Sequence, residues 1–290
     1  MIFSTTMLAQ TARMTIPYAC AGLGGVLCER SGVVNIALEG TMLGSALASV
    51  AVHYATGNAL AGIIAGVSVG AAIGLLHATL VVRGRIDAIV SGLAINVAAA
   101  GGTRFLLRAL YGSSSNSPSV GGIRVDLTIL DPFLLATLAL VAGAAWMLTR
   151  TRFGLRLRAC GEDPSAAQAV GIHVVWTRTA AVCLGSAICG LGGTALAYDL
   201  HQFQAGMTGG RGFIALAAVI VSGWRAWPAL IACLAFAALD ATQIVLQNQT
   251  KIPTQLLSIL PFVATLVALM LVSRRKSEVR PPAGLGRHPD

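Results

Sequence analysis

The sequence predicts an all-α protein, a polytopic transmembrane bundle of about 8–10 segments, some of them broken or re-entrant. Two observations predict it. Charged residues are 11% of the 290-residue chain and hydrophobic ones 56%, whereas a soluble domain carries about 25% charge, so the chain cannot solvate an ordinary surface. The apolar runs are also long: LAGIIAGVSVGAAIGLLHATLVV (60–82), PFLLATLALVAGAAWML (132–148) and QLLSILPFVATLVALMLV (255–272) match the ~20 residues that cross a bilayer core.

The first segment, 7–27, runs into CERSGVVNIALEGTM (28–42). Ser31-Gly32 is a poor helix interior and Ser31 suits an N-cap. The chain is therefore expected to break at 29–32 and restart as a second segment, 33–54. There Asn35 and Glu39 stand four apart and share one face. An ionisable group at mid-membrane costs at least ~2.5–3.5 kcal/mol on insertion scales, so such groups line a cavity or pair with each other. Two readings stay open: Glu29, Arg30, Asn35 and Glu39 border a watery path, or Glu29-Arg30 is an interfacial loop pair while Asn35 and Glu39 bond neighbouring helices. A broken helix is the form that lines such paths.

The third segment, 59–82, repeats glycine every four residues at Gly62, Gly66, Gly70 and Gly74, a smooth stripe that lets another helix approach closely. The fourth, 86–110, carries Asn96, which suits either a polar solute or a helix tie. Arg104 and Arg108 near its end are expected to snorkel, and His53 and His77 to be packing residues. The polar, Ser/Gly-rich connection 113–131 suits the outer face. A fifth segment, 131–149, leads into an arginine-dense connection, 150–178, expected inside. There Asp163 suits an N-cap, Pro164 the first helical position and Gly171 the position past the end, with small residues between.

The sixth segment, 179–199, is followed by AGMTGGRGF (205–213), a Gly-rich bend that aims a short seventh helix, 212–223, with Arg211 at its entry. Asp240, Gln243 and Gln247 share a face of the eighth, 228–247, where subunit and solute contact are equally open. The ninth is 255–272. Residues 1–273 form one membrane domain, and the charged, Pro/Gly-rich tail 274–290 is expected to be disordered.

Charge placement sets the expected topology. The net charge is +9, but the basic residues cluster between apolar runs instead of forming the stripe that nucleic acid requires. Nine crossings from an outer N-terminus leave Arg13, Arg104, Arg108, Arg124, Arg211 and Lys251 off the inner connections and put the other fourteen of twenty basic residues on them, as the positive-inside rule demands. The C-terminus is then cytoplasmic, and the short seventh helix with its flanking turn carries the chain across. Tyr18-Ala19-Cys20 has no basic stretch ahead of it before Arg13, so the first segment is expected to be retained. The six cysteines form no CxxC pair and suit packing, so no metal or cofactor is expected. The lack of G-x-x-x-x-G-K-[ST] excludes a P-loop, so the chain is expected to be a transport subunit, not an enzyme.

Four stretches, in order, carry a resemblance: LCERSGVVNIALEGTMLGSALAS, VSGLAINVAAAGGTRFLLRALYG, RLRACGEDPSAAQAVGI and GMTGGRGFIALAAVIVSGW. Over residues 10 to 272 the chain resembles permeases of binding-protein-dependent ABC importers, in the ribose, branched-chain amino acid and nucleoside branch. It looks most like the smaller permease of the nucleoside/simple-sugar subgroup. The resemblance implies a type II importer fold in a bacterial inner membrane. It also implies a second permease as heterodimer partner, a cytoplasmic ABC ATPase and an extracytoplasmic binding lipoprotein of the purine-nucleoside type. Gly161, Glu162, Asp163, Pro164, Ala166, Ala167, Val170 and Gly171 would form the segment that couples to the ATPase, and the path would be bordered by Glu29, Arg30, Asn35, Glu39, Asn96 and Arg211. Two departures matter. The sugar-type branch has an additional N-terminal helix ahead of the one matched here, and a Gly/Asp/Leu-type stretch in place of Glu29 to Glu39, so sugar contacts do not carry over.

The expected function is thus translocation of nucleosides, with a simple sugar or other small polar solute as the alternative. A secondary transporter would use Glu39 or Asp240 as proton carrier and call for inverted repeats, which the sequence lacks. An integral-membrane transferase would gather histidines or carboxylates at one edge, and the five histidines are scattered.

Overall fold

Side chains that accept hydrogen bonds from freed backbone amides start five of the helices. Asn58 caps with Leu60 and Ala61, Asp87 with Ile89 and Val90, Asp131 with Phe133, Thr151 with Gly154, and Asp163 with Ala166. Each satisfies donors that have no partner within the first turn. The structure is a computed structural model that describes residues 5–122, 131–249, 259–274 and 280–287. Its helices are α1 Thr5–Arg30, α2 Leu38–Thr56, α3 Ala59–Ala78 with a π-helical last turn Thr79–Arg83, α4 Ala88–Tyr111, α5 Pro132–Arg150, α6 Arg152–Glu162, α7 Pro164–Ala169, α8 Val174–Asp199, α9 Arg211–Val221, α10 Ala226–Gln249 and α11 Leu260–Arg274. Among the described residues there is no strand, and a lone antiparallel bridge joins Asn116 and Gln204.

Five of these helices are long and apolar enough to cross a membrane: α3 with its π turn, α4, α5, α8 and α10. With α1 and α2, of 26 and 19 residues, and the shorter α9 and α11 they form the polytopic all-α bundle. Large apolar side chains face outward along α4 and α11, including Val97, Phe105, Leu266 and Met270. That is the surface expected where the solvent is lipid.

The core is built around α8, which packs against α1, α2 and α3. The α3 glycines make this possible. A Cβ on Gly70 would lie 2.6 Å from the Ser186 carbonyl and one on Gly74 2.9 Å from that of Val182, both on α8, and Gly62 and Gly66 meet Tyr198 and Thr194 on the same helix. Without side chains on one partner, two backbones come close enough for dispersion contacts that apolar lipid cannot outcompete.

The interruption after α1 is longer than the sequence suggests. Helix α1 continues through Glu29 to Arg30, and α2 begins only at Leu38 with an N-cap, Ala37, that makes no side-chain bond. Ser31 is therefore not a cap; its hydroxyl bonds back to the Cys28 carbonyl at 2.6 Å. Asn35 is outside any helix, so it and Glu39 do not share a helical face. The cause is local competition: the Asn35 amide oxygen accepts the Ala37 N–H at 3.0 Å, a turn that replaces helical pairing.

The C-terminal residues also differ from expectation. Instead of a disordered tail, residues 280–287 dock on the bundle, with Gly284 N–H donating to the Gly161 carbonyl at 2.8 Å and Gly286 N–H to the Gly32 carbonyl at 3.0 Å. A charged, proline-rich segment orders here because its amides find carbonyls left open by the break and by the end of α6. The connection expected on the outer face is clasped over 115–120, where Ala205 and Val120 N–H groups pair with Ser115 and His201 carbonyls at 2.8 Å; its residues 123–130 lie outside the described residues, as do 250–258 of the ninth segment and its approach.

Candidate functional site

Helix α9 is a half-helix of 11 residues, about 16 Å long. It begins beside Tyr18, midway along α1, and ends near the foot of α1. Its N-terminus is reached by a tight bend in which Gly206, Gly209 and Gly210 all have positive φ, a conformation open to glycine without a Cβ penalty. The Glu39 carboxylate fills the vacant capping position from another helix. Its Oε1 accepts the Gly210 N–H and its Oε2 the Gly212 N–H, both at 2.8 Å. A carboxylate at the positive end of a helix dipole is stabilising, so the polar cost of Glu39 is met inside the chain. Gly212 is required there, since a Cβ would lie 2.5 Å from the Glu39 backbone nitrogen.

Arg211 stands at the head of α9 among three partners. Its Nη2 and Nε reach Asp240 Oδ2 at 3.0 and 3.2 Å, its Nη1 donates to the Met207 carbonyl at 3.0 Å, and its Cζ lies 5.9 Å from the Tyr18 ring centre. The Tyr18 hydroxyl donates to the same Asp240 oxygen at 3.1 Å. This cluster faces open space on two sides. One cavity of about 470 Å³ is walled by Arg13, Asp131, Tyr198, Asp199, His201 and Arg211. A smaller one, of about 170 Å³, is walled by Tyr18, Arg211, Asp240, Gln243 and Phe262. Of the six residues expected to border a path, Arg211 is the one that lines these cavities.

The other five bind the bundle to itself. Glu29 is buried and accepts the Trp224 indole N–H, while Arg30 Nε donates to the Trp224 carbonyl at 2.9 Å and its Nη1 lies 3.9 Å from Glu162. Together they grip the α9–α10 turn, where Trp224 has a φ of 56°. Asn35 is fully buried, with its amide nitrogen 3.3 Å from Cys28 Sγ and 3.4 Å from Ser186 Oγ. Asn96 donates to the Ile36 carbonyl at 2.9 Å and accepts the Gly40 N–H at 2.8 Å, pinning α4 to the break and to α2. These contacts tie neighbouring helices and turns of the bundle together.

At the far end of α6, helix α7 has the capping that the sequence describes. The Asp163 carboxylate accepts the Ala166 N–H at 3.0 Å, Pro164 is the first residue, and Gly171 follows with φ +83°. Pro164 and Ala167 turn inward, Ala167 joining Cys160 and Val174 in a small cluster, while Ser165, Ala166, Gln168 and Val170 face outward. Burial pushes the Cys160 thiol above its ordinary range, as suits a packing cysteine and not a reactive one. Among the described residues no group of three or more His, Cys, Asp or Glu side chains could hold a metal ion.

Sequence reasoning missed four residues that organise this region. His77 is no isolated packing residue, since its ring nitrogens sit 3.0 Å from Ser91 Oγ and from the Val34 carbonyl. Trp224, Tyr18 and Arg178 also carry polar roles without a local motif. For Arg178 the available signal was helical periodicity running back from 179 to 174, which places it inside α8 and not in the loop.

Comparison with known proteins gives these arrangements a setting. Residues 7–269 match the family described as "Branched-chain amino acid transport system / permease component". The nucleoside ABC transporter permease protein NupC of Lactococcus lactis is 34% identical over 281 residues, covering 88% of each chain. The guanosine ABC transporter permease protein NupQ of Bacillus subtilis is 34% identical, covering 87% of each. A putative glucose ABC transporter permease of Haloferax volcanii is 31% identical, covering 97% of this chain and 95% of its own.

Proposed function

This chain belongs to the family of branched-chain amino acid transport system permease components, and from that premise we propose that it is the permease subunit of an ATP-binding cassette importer that carries nucleosides across the cytoplasmic membrane. The observation that carries the substrate reading is the pair of relatives named for nucleoside and guanosine, each matched over nearly its whole length. The glucose-named relative supports a simple sugar as the second reading.

In this reading the solute, delivered by an extracytoplasmic binding lipoprotein, enters between this chain and a second permease and passes the cavities around Arg211. The half-helix α9 is the moving element. Its head is held by Glu39 and Asp240, its foot by Glu29 and Arg30 through Trp224, so displacement at either end reorients the Arg211 guanidinium. Glu29, Arg30, Asn35, Glu39 and Asn96 then act on the path by aiming α9, and Arg211 acts by meeting solute. A guanidinium suits the carbonyls of a nucleobase.

A cytoplasmic ATPase grips α7, the small, capped and outward-facing helix formed by 164–169. Closure of the ATPase on ATP favours one orientation of the bundle over the other, because a bound partner shifts an equilibrium by its differential affinity for the two states. The C-terminus lies on the same side as α7, which the docking of Gly284 on Gly161 supports.

The test is uptake into liposomes holding both permeases, the ATPase and the binding protein. Labelled guanosine should accumulate only with ATP, and unlabelled nucleosides should compete while glucose does not. Competition by glucose alone selects the sugar reading. Accumulation driven by a proton or sodium gradient without the ATPase refutes the importer.

A further inference from the structure

Arg178 is 2% exposed, and each of its three bonds among the described residues goes to a backbone carbonyl. Its Nε donates to the Ser31 carbonyl at 3.0 Å, its Nη2 to the Cys160 carbonyl at 3.0 Å, and its Nη1 to the Arg287 carbonyl at 2.6 Å. The three acceptors come from three separate parts of the chain: the break after α1, the α6 end next to α7, and the docked C-terminal residues. Gly32, with φ +94°, leaves the room, since a Cβ there would lie 2.6 Å from Nη2.

The C-terminal residues run from the start of α7 to the break like a strap. Ala283 N–H donates to Glu162 Oε2 at 3.2 Å, Gly284 N–H to the Gly161 carbonyl, and Gly286 N–H to the Gly32 carbonyl. A Cβ on Gly284 would lie 3.0 Å from Pro164 Cδ, the first residue of α7, and Leu285 packs against a cluster drawn from α1, α5, α6, α8, α9 and α10.

We infer that Arg178, held together with the strap 281–287, is a positioning residue of the transport cycle that carries displacement of α7 into the break between α1 and α2. The inference rests on the reading that α7 is gripped by an ATPase. The geometry supplies the mechanical route. Moving α7 moves the end of α6 and the strap; both are tied to the guanidinium, which in turn holds Ser31. From the break, the chain leads within a few residues to Asn35, to Glu39, and so to the head of α9. A planar guanidinium fixes three carbonyls in one plane, whereas an ammonium on a flexible stem holds them without fixed geometry. Packed side chains and hydrogen-bond networks with two discrete arrangements carry coupling of this kind.

The experiment uses the complete importer in liposomes and reads two quantities, ATP hydrolysis and nucleoside imported per ATP. The variants are Arg178→Lys and Gly284→Val, the latter to lift the strap while leaving Arg178 in place. The expected result is an assembled complex whose ATP hydrolysis changes by less than about twofold while nucleoside imported per ATP falls about tenfold, a size that residues along a coupled network command. An unchanged ratio in both variants overturns the inference. So does loss of hydrolysis and uptake in equal proportion, or loss of assembled complex in both, because each makes the cluster a static clasp. Ala166→Trp, on the outward face of α7, tests the docking reading separately: ATPase retained by that variant with full uptake refutes docking at α7, whatever Arg178 does.

Discussion

At the residue scale, Glu39 shows how a carboxylate is tolerated within an apolar chain. Two backbone amides of α9 take both of its oxygens, and hydrogen bonds to a charged group contribute about 1.5–3 kcal/mol each. Glu39→Ala is expected to lower the thermal midpoint of the detergent-solubilised protein and abolish uptake. Glu39→Gln, with one carbonyl acceptor for two amides, should fall between the variant and the parent in both measurements. Asp240 makes a second case. Its pairing with Arg211 at 3.0 Å leaves the two side chains 13% and 18% exposed, and removing one partner of a buried pair costs about 3–5 kcal/mol because the other charge stays unmet. Asp240→Asn should therefore destabilise the fold more than Asp240→Asn combined with Arg211→Gln, as chemical denaturation would reveal. The double variant should still fail in uptake if Arg211 meets solute.

At the scale of elements, most helices were legible because their signals are local. Asp163 and Pro164 announce α7, and the glycines of α3 announce a contact face. The break was legible in kind but not in length, since Ser31 offers a plausible cap, while the Asn35 turn is a side-chain choice that spacing does not reveal and the His77 bond to the Val34 carbonyl comes from a distant part of the chain. The same reason hides Glu39: spacing places it near Asn35 but says nothing of the α9 amides that it meets. The docked residues 280–287 look disordered because their composition is polar, and their acceptors belong to the break and to α6. Two tests belong here. Gly70→Leu must force α3 away from the Ser186 carbonyl and should abolish folded protein, whereas Gly101→Ala, on α4 with nothing within 4 Å of an added Cβ, should fold normally by size-exclusion profile. Asp163→Ala should cost about 1 kcal/mol of helix stability and reduce uptake, with α7 protection in hydrogen exchange falling accordingly.

For the whole molecule, α8 is the centre and α4 the outlier. Helix α8 touches α1, α2 and α3, whereas α4 leans chiefly on α2 and turns Val90, Leu93, Val97 and Phe105 outward. Its polar attachment at mid-length is the Asn96 amide, which both donates to and accepts from the neighbouring backbone. In a single-molecule pulling experiment, that arrangement makes the fourth helix a detachable rib. It should peel away at lower force than its neighbours and rejoin after they have assembled, and replacing Asn96 with leucine should bring that early rupture down further while leaving the later ones where they were.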